Sequence, residues 1–195
     1  MKKTLSLSFI FAFSVLVSNG QQNGQGPRKL APAAAGDSTQ GLKNQLLTLL
    51  LHKPVDKFEN SHLAGFGAEY AWSKKRFGFD SRPGHPLGWM AKGGVDYFIG
   101  KKDPAVDYAF RYFNYLYLHV MGGAVYSPAS RLNIMFNAGP GLGIYKNSSS
   151  IGINASAAAN VFVSKHISVG PSLIYRKHKQ ASELWSASLR IGYVW

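Results

Sequence analysis

The feature that most limits the fold is a strict alternation of apolar with small polar residues, sustained over segments longer than ordinary globular strands. At the C-terminal end, Trp185, Ala187, Leu189, Ile191, Tyr193 and Trp195 share one face, and Ser186, Ser188, Arg190 and Gly192 share the other. In 131–146, Leu132, Ile134, Phe136, Ala138, Leu142 and Ile144 oppose Asn133, Asn137 and the glycines 139, 141 and 143. The segment 150–163 sets Ile151, Ile153, Val161 and Val163 against Gly152, Asn154, Ser156 and Asn160. In 166–178, Ile167, Val169, Leu173 and Tyr175 oppose His166, Ser168, Ser172, Arg176 and His178. Side chains of a strand alternate between its faces, so this period of two specifies β-structure.

Earlier segments repeat the pattern less cleanly. Residues 62–73 place Phe66, Tyr70 and Trp72 opposite Gly65, Gly67 and Glu69; residues 88–100 place Trp89, Val95 and Tyr97 opposite Lys92, Gly94 and Asp96. Residues 110–126 place Leu116, Leu118 and Val120 opposite Tyr115, Tyr117, His119 and Met121. That makes seven strands. Single-chain membrane barrels have even counts, so an eighth is expected at 42–52, where the leucine cluster is also compatible with a short helix.

In a soluble sandwich the apolar face would meet a second sheet, and the opposite face would be the surface. Here the segments exceed the ~5–6 residues of a globular strand, aromatics gather near strand ends, and the other face is mostly Gly, Ser, Asn and charge. That combination predicts an all-β fold, a closed antiparallel transmembrane β-barrel of eight strands, with lipid outside and small polar residues inside.

The N-terminus supplies a route to such a membrane. Lys2-Lys3, the apolar run Leu5 to Val17 and Ser18-Asn19-Gly20 have the three regions of a secretory signal peptide, expected over 1–20. Residues 21–40, rich in Gln, Gly, Pro and Ala, are expected to be a flexible leader, and 41–195 the barrel domain. The apolar run is shorter than the ~20 residues of a spanning helix. Cysteine is absent, which removes disulfides, thiolate metal sites and lipid anchoring through cysteine. The net charge of +13 favours anionic partners. With export, that points to anionic lipid headgroups and away from nucleic acid.

The run Leu189-Arg190-Ile191-Gly192-Tyr193-Val194-Trp195 resembles the C-terminal signature of outer-membrane barrels, although family members usually end in Phe where this chain has Trp195. Tyr115-Leu116-Tyr117-Leu118-His119-Val120 and Phe136-Asn137-Ala138-Gly139-Pro140-Gly141-Leu142-Gly143 resemble consecutive strands of small OmpA/OmpX-like, porin-family barrels. The resemblance spans about 61–195 and implies an outer-membrane location. It also implies that Leu189, Ile191, Tyr193 and Trp195 form the signal read by the barrel-assembly machinery, with the C-terminus on the periplasmic side.

Counting strands back from that end puts Lys101, Lys102, Lys146, Arg176, Lys177 and Lys179 at the external rim, where they would meet the phosphates of outer-membrane lipids, lipopolysaccharide in particular. Inside, Glu69 with Lys92 and Asp96 with His119 fall at similar heights on adjacent strands. Because an unpaired buried ion is costly, they are expected to form a lumen charge network. An eight-stranded barrel is only wide enough for its own side chains or one small ligand. The leading function is therefore non-catalytic: structure, lipid contact or partner binding. A lipid A-modifying enzyme and a narrow small-solute transporter are the alternatives. His166-Ile167-Ser168 is the one His-x-Ser spacing an enzyme of that kind would use, with both side chains expected on the inner face. Lys74-Lys75-Arg76 and Arg82 form a basic connection. The histidines show no ligand spacing, so no metal or other cofactor is expected.

Overall fold

The computed structural model describes residues 44–74, 77, 87–103, 110–179 and 183–195. The expected signal peptide and leader, and Lys75, Arg76 and Arg82, lie outside the described residues. Eight strands follow one another: β1 (Gln45–Val55), β2 (His62–Ser73), β3 (Leu87–Gly100), β4 (Tyr115–Ala129), β5 (Leu132–Tyr145), β6 (Ser148–Phe162), β7 (Ile167–His178) and β8 (Leu184–Val194). Each pairs antiparallel with its sequence neighbours. β8 closes the barrel on β1, with Leu47 opposite Tyr193, Leu49 opposite Ile191 and Leu51 opposite Leu189. Closure leaves no sheet edge, the condition for a sheet to survive in lipid.

The leucine-rich segment is strand β1, not a helix. Leucine favours helices, but Leu47, Leu49 and Leu51 all point outward while Leu46, Thr48, Leu50 and His52 point inward. Two ladders, to β2 and β8, reward that period of two and override local propensity. The strand expected from 110 begins at Tyr115 instead. Residue 111 makes an isolated bridge to Lys102, and the Asn114 side-chain carbonyl accepts the Gly100 N–H at 3.0 Å, which holds 110–114 as a connection. A short helix, α1 (Lys57–Ser61), joins β1 to β2.

The outer wall is apolar: Val120, Ile151 and Ile153 are 65 %, 73 % and 64 % exposed. In water such a belt would be an aggregation surface; in hydrocarbon it is the favourable one. Aromatic pairs mark both ends of the belt. Following the orientation expected from the sequence, Trp72 meets Trp89 edge-on at 5.2 Å and Tyr193 stacks at 6.1 Å with Trp195 at the periplasmic end. Tyr175 meets Trp185 at 4.7 Å toward the external end.

The interior is filled in three layers. At the periplasmic end Leu46, Met90, Val125, Met135, Phe162 and Val194 pack together with Phe77, which reaches in from the connection between β2 and β3. Charged side chains occupy the middle. Toward the external end Phe58 of α1 packs on Phe98 at 4.8 Å and Tyr115 at 6.0 Å, stoppering the lumen with an apolar side chain.

Candidate functional site: the lumen network and the external mouth

The inner faces of β2, β3 and β8 bring Glu69, Lys92 and Arg190 together, all buried. Lys92 Nζ donates to Glu69 Oε1 at 2.9 Å, and Arg190 Nη2 lies 2.9 Å from Glu69 Oε2. His119 Nε2 approaches the same carboxylate at 3.3 Å, and its Nδ1 lies 3.6 Å from Asp96 Oδ2. Asp96 is in turn held by Arg176 Nη2 at 2.5 Å and by His52 Nε2 at 3.0 Å, while His52 Nδ1 meets the Ser188 hydroxyl at 2.7 Å. Each carboxylate therefore faces more than one cation or ring nitrogen, which offsets the desolvation of charge inside the barrel.

Small residues make room for these long side chains. A Cβ on Gly94 would sit 2.8 Å from His119 Nε2 and 2.9 Å from the Glu69 Cγ, too close for either to stay. The Ala68 carbonyl oxygen would be closer still, at 2.7 Å, so the backbone of β2 and the network both require the glycine.

The expected pairs, Glu69 with Lys92 and Asp96 with His119, are thus near one another, linked by His119 into one network. Three members escaped the sequence reading: His52, Arg190 and Arg176. Arg176 requires a correction. Its place near the end of β7 suggested the rim, but the side chain is fully buried, donates to Ser186 Oγ at 2.8 Å, and lies over the rings of Phe98 and Tyr117 at 5.0 and 5.1 Å. It points inward by the strand's alternation and reaches Asp96 across the lumen, so it is not available to lipid phosphate.

The remaining rim residues lie at the external end. Lys101 and Lys102 follow β3, and Lys102 is exposed. Lys146, at the tip of the β5–β6 hairpin with a left-handed φ of 55°, holds its Nζ 4.6 Å from the Phe113 ring centre. Lys177 is half-exposed and 3.4 Å from Glu183, and Lys179 is exposed. Lys53 and Lys57 share this end and are exposed. Lys53 was missed because β1 was the least regular strand in sequence, and Lys57 because it sits in the connecting helix α1.

His166 and Ser168 do not share the inner face, His166 being exposed and Ser168 buried. His166 lies in the turn before β7, bonds Val194 O through Nδ1 at 2.7 Å and stacks on Tyr193, so the expectation that it faces inward is overturned. Among the described residues no group of three His, Asp or Glu is arranged to hold a metal.

At the external mouth a cleft of about 450 Å³ opens beside α1, between the ends of β4, β5 and β6. Its rings are held in place: His62 Nδ1 meets the Ser61 hydroxyl at 2.8 Å, Tyr145 Oη accepts the Phe113 N–H at 3.1 Å, and Tyr115 bonds His178.

No family model matches the chain, and no curated protein sequence matches it. Solved structures do. The outer-membrane protein Ail of Yersinia pestis in a phospholipid bilayer nanodisc matches with a TM-score of 0.53 at 14 % identity, over 77 % of this chain and 98 % of that one. Ail in complex with the heparin analogue sucrose octasulfate matches with a TM-score of 0.52 at 12 % identity, over 77 % and 96 %. The N-terminal β-barrel domain of Pseudomonas aeruginosa OprF matches at 0.45 and 13 % identity, over 78 % and 98 %. With its closed eight-stranded wall, apolar belt and aromatic ends, the chain has the fold of the small outer-membrane barrels and is an integral barrel of that type.

Proposed function

We propose that this barrel serves a non-catalytic role at the outer membrane, and that its external basic rim binds the anionic groups of outer-leaflet lipid, lipopolysaccharide above all. The observation that carries the reading is positional. Lys102, Lys146, Lys177 and Lys179 come from separate stretches of sequence, yet all are exposed at one end of a barrel whose described interior is packed with side chains. Cations in that position face the phosphates of the headgroup layer, and the excess of Lys and Arg over Asp and Glu, 22 against 9, favours such partners. A barrel of the same fold solved with sucrose octasulfate offers a precedent for a polyanion on this architecture. On the same proposal, the C-terminal strand ending in Tyr193 and Trp195 is what the barrel-assembly machinery reads.

Exposed ion pairs are individually worth about 0.5 kcal/mol and are screened by salt, so single substitutions change little. Replacing Lys102, Lys146, Lys177 and Lys179 together with Gln is expected to weaken lipopolysaccharide binding at least tenfold at low salt and far less at high salt. The assay titrates lipopolysaccharide against the refolded protein in lipid-free zwitterionic detergent, with heat-modifiable gel mobility reporting the fold. Unchanged low-salt affinity in a correctly folded quadruple variant would sink the proposal.

A further inference from the structure

The external cleft is chemically unlike the rim around it. Its floor is aromatic, formed by Phe58 and Tyr115, and Tyr145 stands as a wall with its ring 6.3 Å from that of His62. Next to Tyr145, across the β5–β6 hairpin, the serines that open β6, Ser148, Ser149 and Ser150, also line the cleft, with the Ser148 hydroxyl donating to the Tyr145 carbonyl at 2.9 Å. Among the described residues lining the cleft none is acidic, and Lys57 is the cation. Apolar ring faces set beside serine hydroxyls suit a ligand that is itself two-sided, with C–H faces and a hydroxylated edge. That is the chemistry of a sugar ring. The volume, about 450 Å³, lies within the ~300–1,000 Å³ of small-ligand sites.

The site is also built in advance. Ser61 orients His62; the Ser150 carbonyl, 3.1 Å from His178 Nδ1, orients the ring that bonds Tyr115; and the backbone of Phe113 fixes Tyr145. Gly143 is what lets Tyr115 and His178 close on each other beneath the cleft, since a Cβ there would lie 2.6 Å from the Tyr115 hydroxyl and 2.5 Å from His178 Cε1. Rings fixed before the ligand arrives reduce the ordering cost of binding. None of these hydrogen bonds is needed to close the barrel, whose wall is complete without them.

We infer that the external cleft beside α1 is a saccharide-binding site for one or two sugar rings, neutral or carrying a single negative charge that Lys57 would meet. The inference does not rest on the rim lysines tested above. Two sources share this chemistry: the core sugars of lipopolysaccharide and a soluble extracellular glycan.

The test titrates the refolded full chain in lipid-free detergent with three probes, followed by saturation-transfer NMR: lactose, a uronic-acid disaccharide, and core oligosaccharide cleaved from its lipid. Ser148→Trp fills the mouth from an exposed position, and Tyr145→Ala removes a wall. Saturable binding of at least one probe, lost at least tenfold in Ser148→Trp and kept in the quadruple rim variant, is the expected result. The probe preferred identifies the source. No saturable binding of any probe at millimolar concentration overturns the inference, as does binding that survives both Ser148→Trp and Tyr145→Ala in folded protein.

Discussion

Glu69→Gln is expected to lower the unfolding free energy of the barrel by about 3–5 kcal/mol, the cost of breaking a buried ion pair from one side. The expectation is at the upper end of that range because Glu69 serves two cations, Lys92 and Arg190, and a histidine nitrogen at once. Removing it leaves Lys92 and Arg190 without their carboxylate and His119 with Asp96 alone. Removing Lys92 is different, since Glu69 keeps Arg190. Lys92→Met should therefore cost less than Glu69→Gln, and the double variant less than the sum of the two. Urea unfolding of the refolded barrel, followed by tryptophan fluorescence, reads all three. Additive losses, or a Lys92→Met cost above that of Glu69→Gln, would show that the network does not act as the distances imply.

The second large effect concerns assembly. Deleting Tyr193 to Trp195 is expected to leave the exported protein in the periplasm, without heat-modifiable mobility. β8 is the strand that closes the wall, and Tyr193 sits opposite both Leu47 of β1 and Ile167 of β7. The deletion also removes Val194, whose N–H donates to the His166 carbonyl at 2.8 Å and whose own carbonyl meets the His166 ring. Trp195 stacks with Tyr193 and lies 6.2 Å from Tyr70, tying the end of the chain to β2. A deletion variant that reaches the outer membrane at the normal level would remove the C-terminal strand from its proposed role.

The wall was legible in sequence because lipid imposes one rule on every second residue. Ile151 to Val163 and Leu189 to Trp195 obey it so fully that strand, face and approximate length follow from alternation alone. The pairing of Glu69 with Lys92 was legible for a related reason: charges on neighbouring inward faces have few other partners. What lay across the lumen was not. Arg176 and Asp96 are eighty positions apart on non-adjacent strands, and which residues meet there depends on strand tilt and stagger, which no single strand's pattern records. The two stoppers were equally hidden. Phe58 and Phe77 sit in connections, where no period announces which way a side chain turns. The external cleft is lined from seven different elements, α1, β2 and β4 to β8, and has no local signature.

The inverse polarity of the two faces of this wall has a consequence for how the barrel reaches its final pairing. Slipping any strand by one residue exchanges its faces. In β2 or β3 such a slip would carry Glu69 or Lys92 into hydrocarbon and push Tyr70 or Val95 into the charged middle of the lumen. Misalignment is thus penalised on both sides of the sheet at once, and by different physics on each side: ion desolvation without, crowding and lost pairing within. The sequence in effect proofreads its own register, and the most strongly checked strands are those whose inward faces carry charge.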